Sequence, residues 1–259
     1  MKKVVVTGAG GQLGQTLRDL SMDFPRIAAR FFTKEELDIT DADQVNAVFD
    51  EIRPEYCINC AAYTRVDEAE RNPEAAMAVN ALGAANLARA CAENNAFMLQ
   101  LSTDYVFDGR KKEGYTPQDT PSPINVYGRS KWEGEQEVQR QADRYLIVRT
   151  SWLYSRKYGP NFYLTIAGKA ARGEPISVTD QQTGCPTLAD HLSAYLWQVV
   201  EGDPPPSGIV HYTDGEAMTW YDFASRILSE IGKLEPGRLL RADNYRSFAR
   251  RPRHSILLP

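Results

Sequence analysis

Long apolar runs are the first thing missing. The longest stretches without Asp, Glu, Lys or Arg are Val4–Leu17 and Ala75–Ala88, and both are broken by Gly or Asn. A membrane-spanning helix needs about 20 apolar residues, so no membrane partner is expected. Behind Met1-Lys2-Lys3 only Val4–Val6 precede Thr7-Gly8. An export signal carries an apolar stretch of ~7–15 residues, so the protein is expected to stay in the cytoplasm. Cysteine is scarce, with four in 259 residues, which excludes a disulfide scaffold. An excess of basic charge is absent too: 30 Lys and Arg face 34 Asp and Glu, for a net charge of −4. No basic stripe is present, and phosphate backbones need clustered Lys and Arg, so no nucleic acid is expected. What remains is 42% hydrophobic and 25% charged, which excludes a disordered chain, a collagen and a coiled coil. At roughly 150 residues per domain, the length fits one large α/β domain or a core with a smaller lobe.

Cys57 and Cys60 form a C-x-x-C within Tyr56-Cys57-Ile58-Asn59-Cys60-Ala61-Ala62, which reads as a buried strand. Residues three apart on a strand point to opposite faces, and no second C-x-x-C or histidine cluster completes a metal site. The pair reads as two small buried thiols, and no metal ligands are assigned.

Lys3–Thr7 is a β-branched run, followed by a glycine-rich turn and by Gln12–Ser21 at helical spacing. Ile27–Phe32 is a second apolar run. Asp41–Ile52 places Val45, Val48, Phe49 and Ile52 on one helical face, and Thr40 or Asp41 is placed to cap it. Tyr56–Ala61 is a third strand, Pro73–Asn94 a long Ala-rich helix with Pro in its first turn, and Phe97–Ser102 a fourth strand. Gly114–Asn125, with Pro117, Pro121 and Pro123, is a loop. Val126–Gln141 reads as helix and Tyr145–Thr150 as strand. Beyond Thr150 the rhythm loosens, with helices over Asn161–Arg172, Leu188–Glu201 and Thr219–Ile231. A Pro-rich turn spans Gly202–Gly208 and a strand Ile209–Thr213. No internal repeat is visible. Strands alternating with helices predict an α/β fold, a Rossmann-type doubly wound parallel sheet. The core is expected over residues 1–150, with 187–213 returning to it. A smaller C-terminal lobe is expected over 151–259.

The first turn carries Gly8, Gly11 and Gly14, with Gly10 between them. Gly8 permits the tight turn off the strand, Gly11 lets the backbone approach a pyrophosphate, and Gly14 allows close helix–strand packing. The helix that follows aims its free N–H groups and positive dipole end at the phosphates. A strand before and a helix after make this a dinucleotide site rather than a flexible loop. An NAD site usually ends its second strand in an acid that holds the ribose 2′-OH. Here that end reads Phe31-Phe32-Thr33-Lys34, with no acid before Glu35. Lys34 is placed to meet a 2′-phosphate and Thr33 to donate to it, which favours NADP(H) over NAD(H); otherwise Lys34 is a solvated surface residue. Asp38 comes slightly later, towards the adenine end.

Tyr127-Gly128-Arg129-Ser130-Lys131 is a Y-x-x-x-K at the start of a helix, so both side chains share one face. A phenol titrates near 10. A neighbouring ammonium favours phenolate, and lowering the pKa by about three units takes about 4 kcal/mol. The phenol would then exchange protons near neutral pH. A surface Tyr stacked on a Lys is the plain alternative. Against it stands Leu101-Ser102-Thr103-Asp104, where a fourth strand ends in two hydroxyls. Ligands of doubly wound sheets bind at the carboxyl ends of the strands, so Ser102 or Thr103 would face the same crevice.

Together the glycine turn, the strand-end hydroxyls and the Tyr-Lys pair resemble an extended short-chain dehydrogenase/reductase. Gly11-Gln12-Leu13-Gly14, the run from Ala61 to Glu70, and the run from Ser102 to Gly109 narrow this further. So do the stretches Arg149 to Tyr154 and Asp180 to Thr187, and Arg251-Pro252-Arg253-His254-Ser255. Over nearly the whole chain they are similar to the dTDP-4-dehydrorhamnose reductase family. That resemblance implies reduction of the C4 ketone of a nucleotide sugar by NAD(P)H. Thr103, Tyr127 and Lys131 would form the catalytic set: Tyr127 protonates the new alkoxide, Lys131 lowers the pKa of Tyr127 and holds the nicotinamide ribose, and Thr103 tunes Tyr127 and orients the ketone. The resemblance puts Gly11, Gln12, Leu13, Asp38, Ile39, Ala62, Tyr63 and Thr64 on the cofactor, and Val66, Asp104 and Trp152 on the sugar. From the sequence alone Trp152 is either core or a stacking platform; the resemblance favours the platform.

The chain ends at Pro259, soon after Arg251–Ser255, where family members usually continue. A cut chain or a reduced lobe is expected. Some relatives pair through glutamate-bound magnesium; the resemblance places no such glutamates here, so magnesium and a homodimer stay open. A sugar-nucleotide epimerase or dehydratase is the neighbouring alternative. A dehydratase would want Thr-Asp-Glu, whereas Thr103-Asp104 is followed by Tyr105. A non-catalytic NADP(H)-binding regulatory subunit is the other.

Overall fold

The computed structural model describes residues 1–202, 205–242 and 247–259. Six strands form the central sheet: β1 (Lys2–Thr7), β2 (Ile27–Phe32), β3 (Tyr56–Asn59), β4 (Phe97–Thr103), β5 (Tyr145–Thr150) and β6 (Gly208–His211). Their spatial order is β6-β5-β4-β3-β1-β2, and every pair is parallel. This is the Rossmann-type α/β architecture that the strand–helix alternation predicts. The order reverses between β1 and β3, which opens a crevice above their carboxyl ends.

Helices cover both faces. They are α1 (Gln12–Leu20), α2 (Ala42–Ile52), α3 (Val66–Arg71), α4 (Pro73–Met77), α5 (Gly83–Glu93), α6 (Val126–Gln141), α7 (Phe162–Ala171), α8 (Ala189–Glu201) and α9 (Trp220–Glu230). Val4, Val6, Ile58, Leu99 and Val148 pack on one side against Leu17 of α1 and Leu196 and Trp197 of α8. Val5, Met98 and Ile147 point to the other, against Phe49 of α2 and Leu87 of α5. Alternate residues of one strand thus feed two cores, which is why these strands read as continuous apolar runs. Cys57 lies in the second core and Cys60 against the first; all four cysteines are free thiols.

Local capping explains the helix starts. Asp41, not Thr40, caps α2 by accepting from the N–H groups of Asp43 and Gln44. Asn125 caps α6, Asn161 caps α7, and Thr219 with Asp222 forms a capping box on α9. The single helix expected over Pro73–Asn94 is corrected: α4 and α5 are joined by a π-helical turn, Ala78–Leu82. The cause is Asn80, whose side chain accepts from Tyr63 N–H at 2.8 Å and donates to Tyr63 C=O at 3.0 Å. It also donates to Ser130 Oγ at 2.9 Å. A widened turn presents this side chain to the chain that follows β3.

The remaining elements gather around a third apolar cluster, in which Tyr163 and Ile166 of α7 meet Phe223 and Ile227 of α9. Residues 176–178 and 239–241 pair beside it. Asp203 and Pro204, within the expected proline-rich turn, lie outside the described residues. No helix among the described residues is long and apolar enough to cross a membrane.

Candidate active site

A groove runs over the crevice in two adjoining halves of about 470 Å³ each. Gly8, Lys34, Asp38, Ile39 and Tyr63 line the half beside β2. Gln12, Leu13, Gly14, Thr103, Asp104, Tyr127, Lys131 and Trp152 line the other. Gly11, Ala62 and Thr64 border both. Of the side chains expected at the site, Val66 alone, the first residue of α3, lines neither half.

The glycine turn is tight for steric reasons. Gly8 has φ +67°, and a Cβ there would sit 2.5 Å from Ala61 N. A Cβ on Gly14 would sit 2.5 Å from the Gly8 carbonyl, so α1 starts directly against the turn. No side chain caps α1, and no acid stands in its first turn. Its first N–H groups therefore have no intrahelical partner and face the groove as an anion cradle. These residues fit the diphosphate of a dinucleotide. At the end of β2, Thr33 lines the groove, and its backbone is tied to Glu36. Its N–H donates to Glu36 at 2.8 Å. Lys34 is exposed, and its charge helps hold the Asp38 carboxyl low, after the stronger hydrogen bonds from Thr40.

Tyr127 and Lys131 sit one turn apart on α6. The close contact is made by Gly128, where a Cβ would lie 2.1 Å from the Tyr105 carbonyl. That contact holds Tyr127 in the same groove lining as Thr103. The expected lowering of the phenol by lysine is corrected. Loss of water around the half-buried Tyr127 pushes it up to about 12, the Thr103 hydrogen bond works against this, and the Asp104 charge adds to it. Lys131 spends a donor on the Leu101 carbonyl at 2.6 Å. Burial brings its ammonium down to about 8, while the charge of Glu135 opposes that.

At the far end Trp152 takes a left-handed backbone, φ +45°, a strained conformation for a large residue. Its indole stacks on Trp220 with ring centroids 3.5 Å apart and planes 6° from parallel. Trp220 Nε1 in turn donates to Gln182 at 3.0 Å. Trp152 is thus both half-packed and open to the groove, with flat faces suited to a sugar ring.

The model of the RmlD substrate binding domain matches residues 1–258. The chain is a member of the RmlD family. It is 38% identical to a dTDP-4-dehydrorhamnose reductase of Aggregatibacter actinomycetemcomitans, over 99% of this chain and 90% of that one. It is 40% identical to a dTDP-4-keto-6-deoxy-D-glucose reductase of Streptomyces niveus, over 98% and 87%. The crystal structure of a dTDP-4-dehydrorhamnose reductase of Bacillus anthracis in complex with NADP superposes with a TM-score of 0.94. It shares 39% identity, over 100% of this chain and 91% of that one.

In this RmlD-family chain several supporting residues carry no sequence motif. Thr7 donates to Asn59 at 2.7 Å and Asn59 to Gln100 at 2.8 Å. Gln100 donates to Leu101 C=O at 2.9 Å, the same carbonyl that holds Lys131. This ladder crosses the strand ends under the groove. Ser102 lines the cleft beside Thr103, and its hydroxyl donates to Glu135. Glu135 also takes Arg149 Nε at 2.9 Å and Nη2 at 2.7 Å in an ion pair with both side chains 2% exposed. Only the spacing Tyr127, Lys131, Glu135, each one helical turn apart, hints at the last of these.

Proposed function

We propose that the chain reduces the C4 ketone of dTDP-4-dehydro-L-rhamnose to dTDP-L-rhamnose, with Tyr127 as proton donor. One observation carries this reading: Thr103, Tyr127 and Lys131 line one groove that runs from the uncapped start of α1 to the Trp152 platform. A reduced nicotinamide dinucleotide, when bound, supplies the hydride. The uncapped N–H groups of α1 hold its diphosphate. Lys131 has three donors; one is on Leu101 and two remain for the nicotinamide ribose. A phenol near 12 stays protonated at neutral pH, the form that a reduction requires, and a sugar alkoxide is basic enough to take its proton. Trp152 carries the sugar.

The test is consumption of NADPH or NADH by the purified protein with enzymatically generated dTDP-4-dehydro-L-rhamnose. Substrate-dependent oxidation supports the reading; a protein that binds both cofactors and oxidises neither would end it in favour of a regulatory subunit. We assign the preference to NADPH, through Lys34. An exposed charge pair contributes about 0.2–1 kcal/mol, so Lys34→Ala should raise KM for NADPH up to roughly five-fold. An equal rise for NADH would remove Lys34 from 2′-phosphate recognition.

The platform has its own test. A Cβ on Gly184 would lie 2.5 Å from the Trp152 ring. Gly184→Ala should tilt the indole off Trp220 and raise KM for the keto sugar several-fold, since such stacking is worth about 0.5–1.5 kcal/mol. Dinucleotide affinity should stay put, and an unchanged sugar KM would show that Trp152 is only core.

A further inference from the structure

Gln12 meets the cofactor cradle with its backbone and leaves it with its side chain. It is the first residue of α1, so its N–H belongs to the uncapped turn. That backbone is held in place. The Gln12 carbonyl accepts from Thr16 Oγ1 at 2.8 Å, and the Gln15 amide donates to Gly10 C=O at 2.9 Å. The side chain crosses to the other end of the groove. Its Nε2 donates to the Leu153 carbonyl at 3.0 Å, and its Oε1 faces Asn161 Nδ2 at 3.3 Å.

The neighbours fix which way the amide points. A carbonyl can only accept, so Leu153 must meet the nitrogen. Asn161 Oδ1 is taken by Leu164 N–H at 3.0 Å, so the Asn161 nitrogen is the atom that faces Gln12. That nitrogen also serves Ser155 C=O at 2.9 Å and Tyr158 C=O at 3.1 Å. It has two protons to divide among them, so the Leu153 bond is the stronger hold on Gln12.

Leu153 directly follows Trp152, whose left-handed backbone persists only where its surroundings impose it. The Trp152 carbonyl is held only by Thr187 N–H at 3.4 Å, so the Gln12 bond to the next carbonyl is the shorter tie. The loop beyond is shaped to the same side chain. Gly159 has φ +69°, and a Cβ there would lie 3.0 Å from Gln12 Cβ. Gln12, Trp152, Leu153 and Gly159 all line one half of the groove. Two turns along α1, Asp19 takes Tyr158 Oη at 2.8 Å and Lys157 Nζ at 3.3 Å. Those contacts are exposed, and exposed pairs contribute little.

We propose that Gln12 is a positioning residue for the reduction: its backbone seats the dinucleotide, its side chain seats the Trp152 platform, and together they set the reach of the sugar ketone to the nicotinamide. The inference rests on the reductase reading and on Trp152 as the sugar platform. Hydride transfer is sensitive to such placement, since a misplacement of about 1 Å can cost on the order of 10²-fold in rate.

The experiment compares wild type, Gln12→Met, Gly184→Ala and the double variant in single-turnover reduction of dTDP-4-dehydro-L-rhamnose at saturating NADPH. NADPH affinity and Tm are measured beside it. Gln12→Met keeps the length and the backbone N–H but has no proton to give Leu153. Its reduction rate should fall about tenfold or more, within the range that misplacement produces, and its sugar affinity should fall with it. NADPH affinity and Tm should hold; a merely structural Gln12 would lower those two and spare the rate at saturation. Gly184→Ala already frees the indole, so the two losses should not add in the double variant. An unchanged rate and sugar affinity in Gln12→Met, a loss confined to NADPH affinity, or losses that add in full overturn the proposal. Should Gln12→Met not fold, Gln12→Glu keeps the shape, and its carboxylate cannot donate to Leu153. It should show the same loss at saturating NADPH, and a full rate there is equally decisive. If the wild type itself does not reduce the keto sugar, the reading of the whole site fails, and this proposal with it.

Discussion

Tyr127→Phe is expected to lose turnover by a factor of about 10²–10⁴, the range that a positioned general acid supplies. At about 1.4 kcal/mol per tenfold, that is roughly 3–5 kcal/mol of the barrier. The substitution removes one oxygen and keeps the ring, which packs edge-on against Tyr105 with centroids 5.7 Å apart. The uncapped start of α1 and the Gly8 turn do not touch it, so dinucleotide affinity should change little. Fluorescence titration of NADPH and single-turnover kinetics separate the two effects. Full turnover in the variant would show that the proton comes from elsewhere. A loss of cofactor affinity as large as the loss of rate would show that Tyr127 binds rather than donates. Because the phenol is held near 12, its own ionisation lies above the working range and cannot produce a fall in rate near neutral pH.

The second large effect belongs to stability. Glu135→Ala strips the buried Arg149 of both strong hydrogen bonds and leaves it only the Pro117 carbonyl at 3.5 Å. Breaking one partner of a buried ion pair costs about 3–5 kcal/mol, because the remaining charge is uncompensated. At about 2–4 °C per kcal/mol for a chain of this size, Tm should drop by roughly 6–20 °C. Replacing both partners, Glu135→Met with Arg149→Met, should cost less than the single change. Thermal melts of the single and double variants decide this; equal losses would mean that the packing of α6 on β5, not the ion pair, carries the energy. The single variant should also act on the site. The charge of Glu135 holds the Lys131 ammonium up against burial. Without it the lysine should lose its proton at a lower pH than its present value of about 8. Cofactor binding should therefore weaken as pH rises towards 8, sooner than in wild type.

How much of this is legible beforehand depends on distance along the chain. The glycine turn is legible through its spacing, and the constraint on Gly14 is local, since it meets the backbone of Gly8 and Ala9. What crowds Gly8 is the backbone of Cys60 and Ala61 after β3, which the spacing does not show. Tyr127 and Lys131 are legible because i and i+4 share a helical face whatever surrounds the helix. The break in the Ala-rich helix is not, because composition favours helix throughout. What widens the turn is a side-chain grip between Asn80 and Tyr63, made across a loop. The fold-back of Glu36 onto the Thr33 N–H at the end of β2 is not legible either, because nothing in the neighbouring residues encodes it.

The sequence by itself determined the alternation of strands and helices, the dinucleotide turn and the Tyr-Lys pair, since each is a matter of period or short spacing. Tertiary structure alone decided which of these groups hold protons. Asp104 is raised and Lys131 lowered by the same cause, loss of water. Their walls come from segments far apart in the chain, with Ser255 and Cys185 against the first and Leu101 against the second. Desolvation depends on everything within a few ångströms, and a linear sequence does not say what that will be until the sheet has brought its strand ends together.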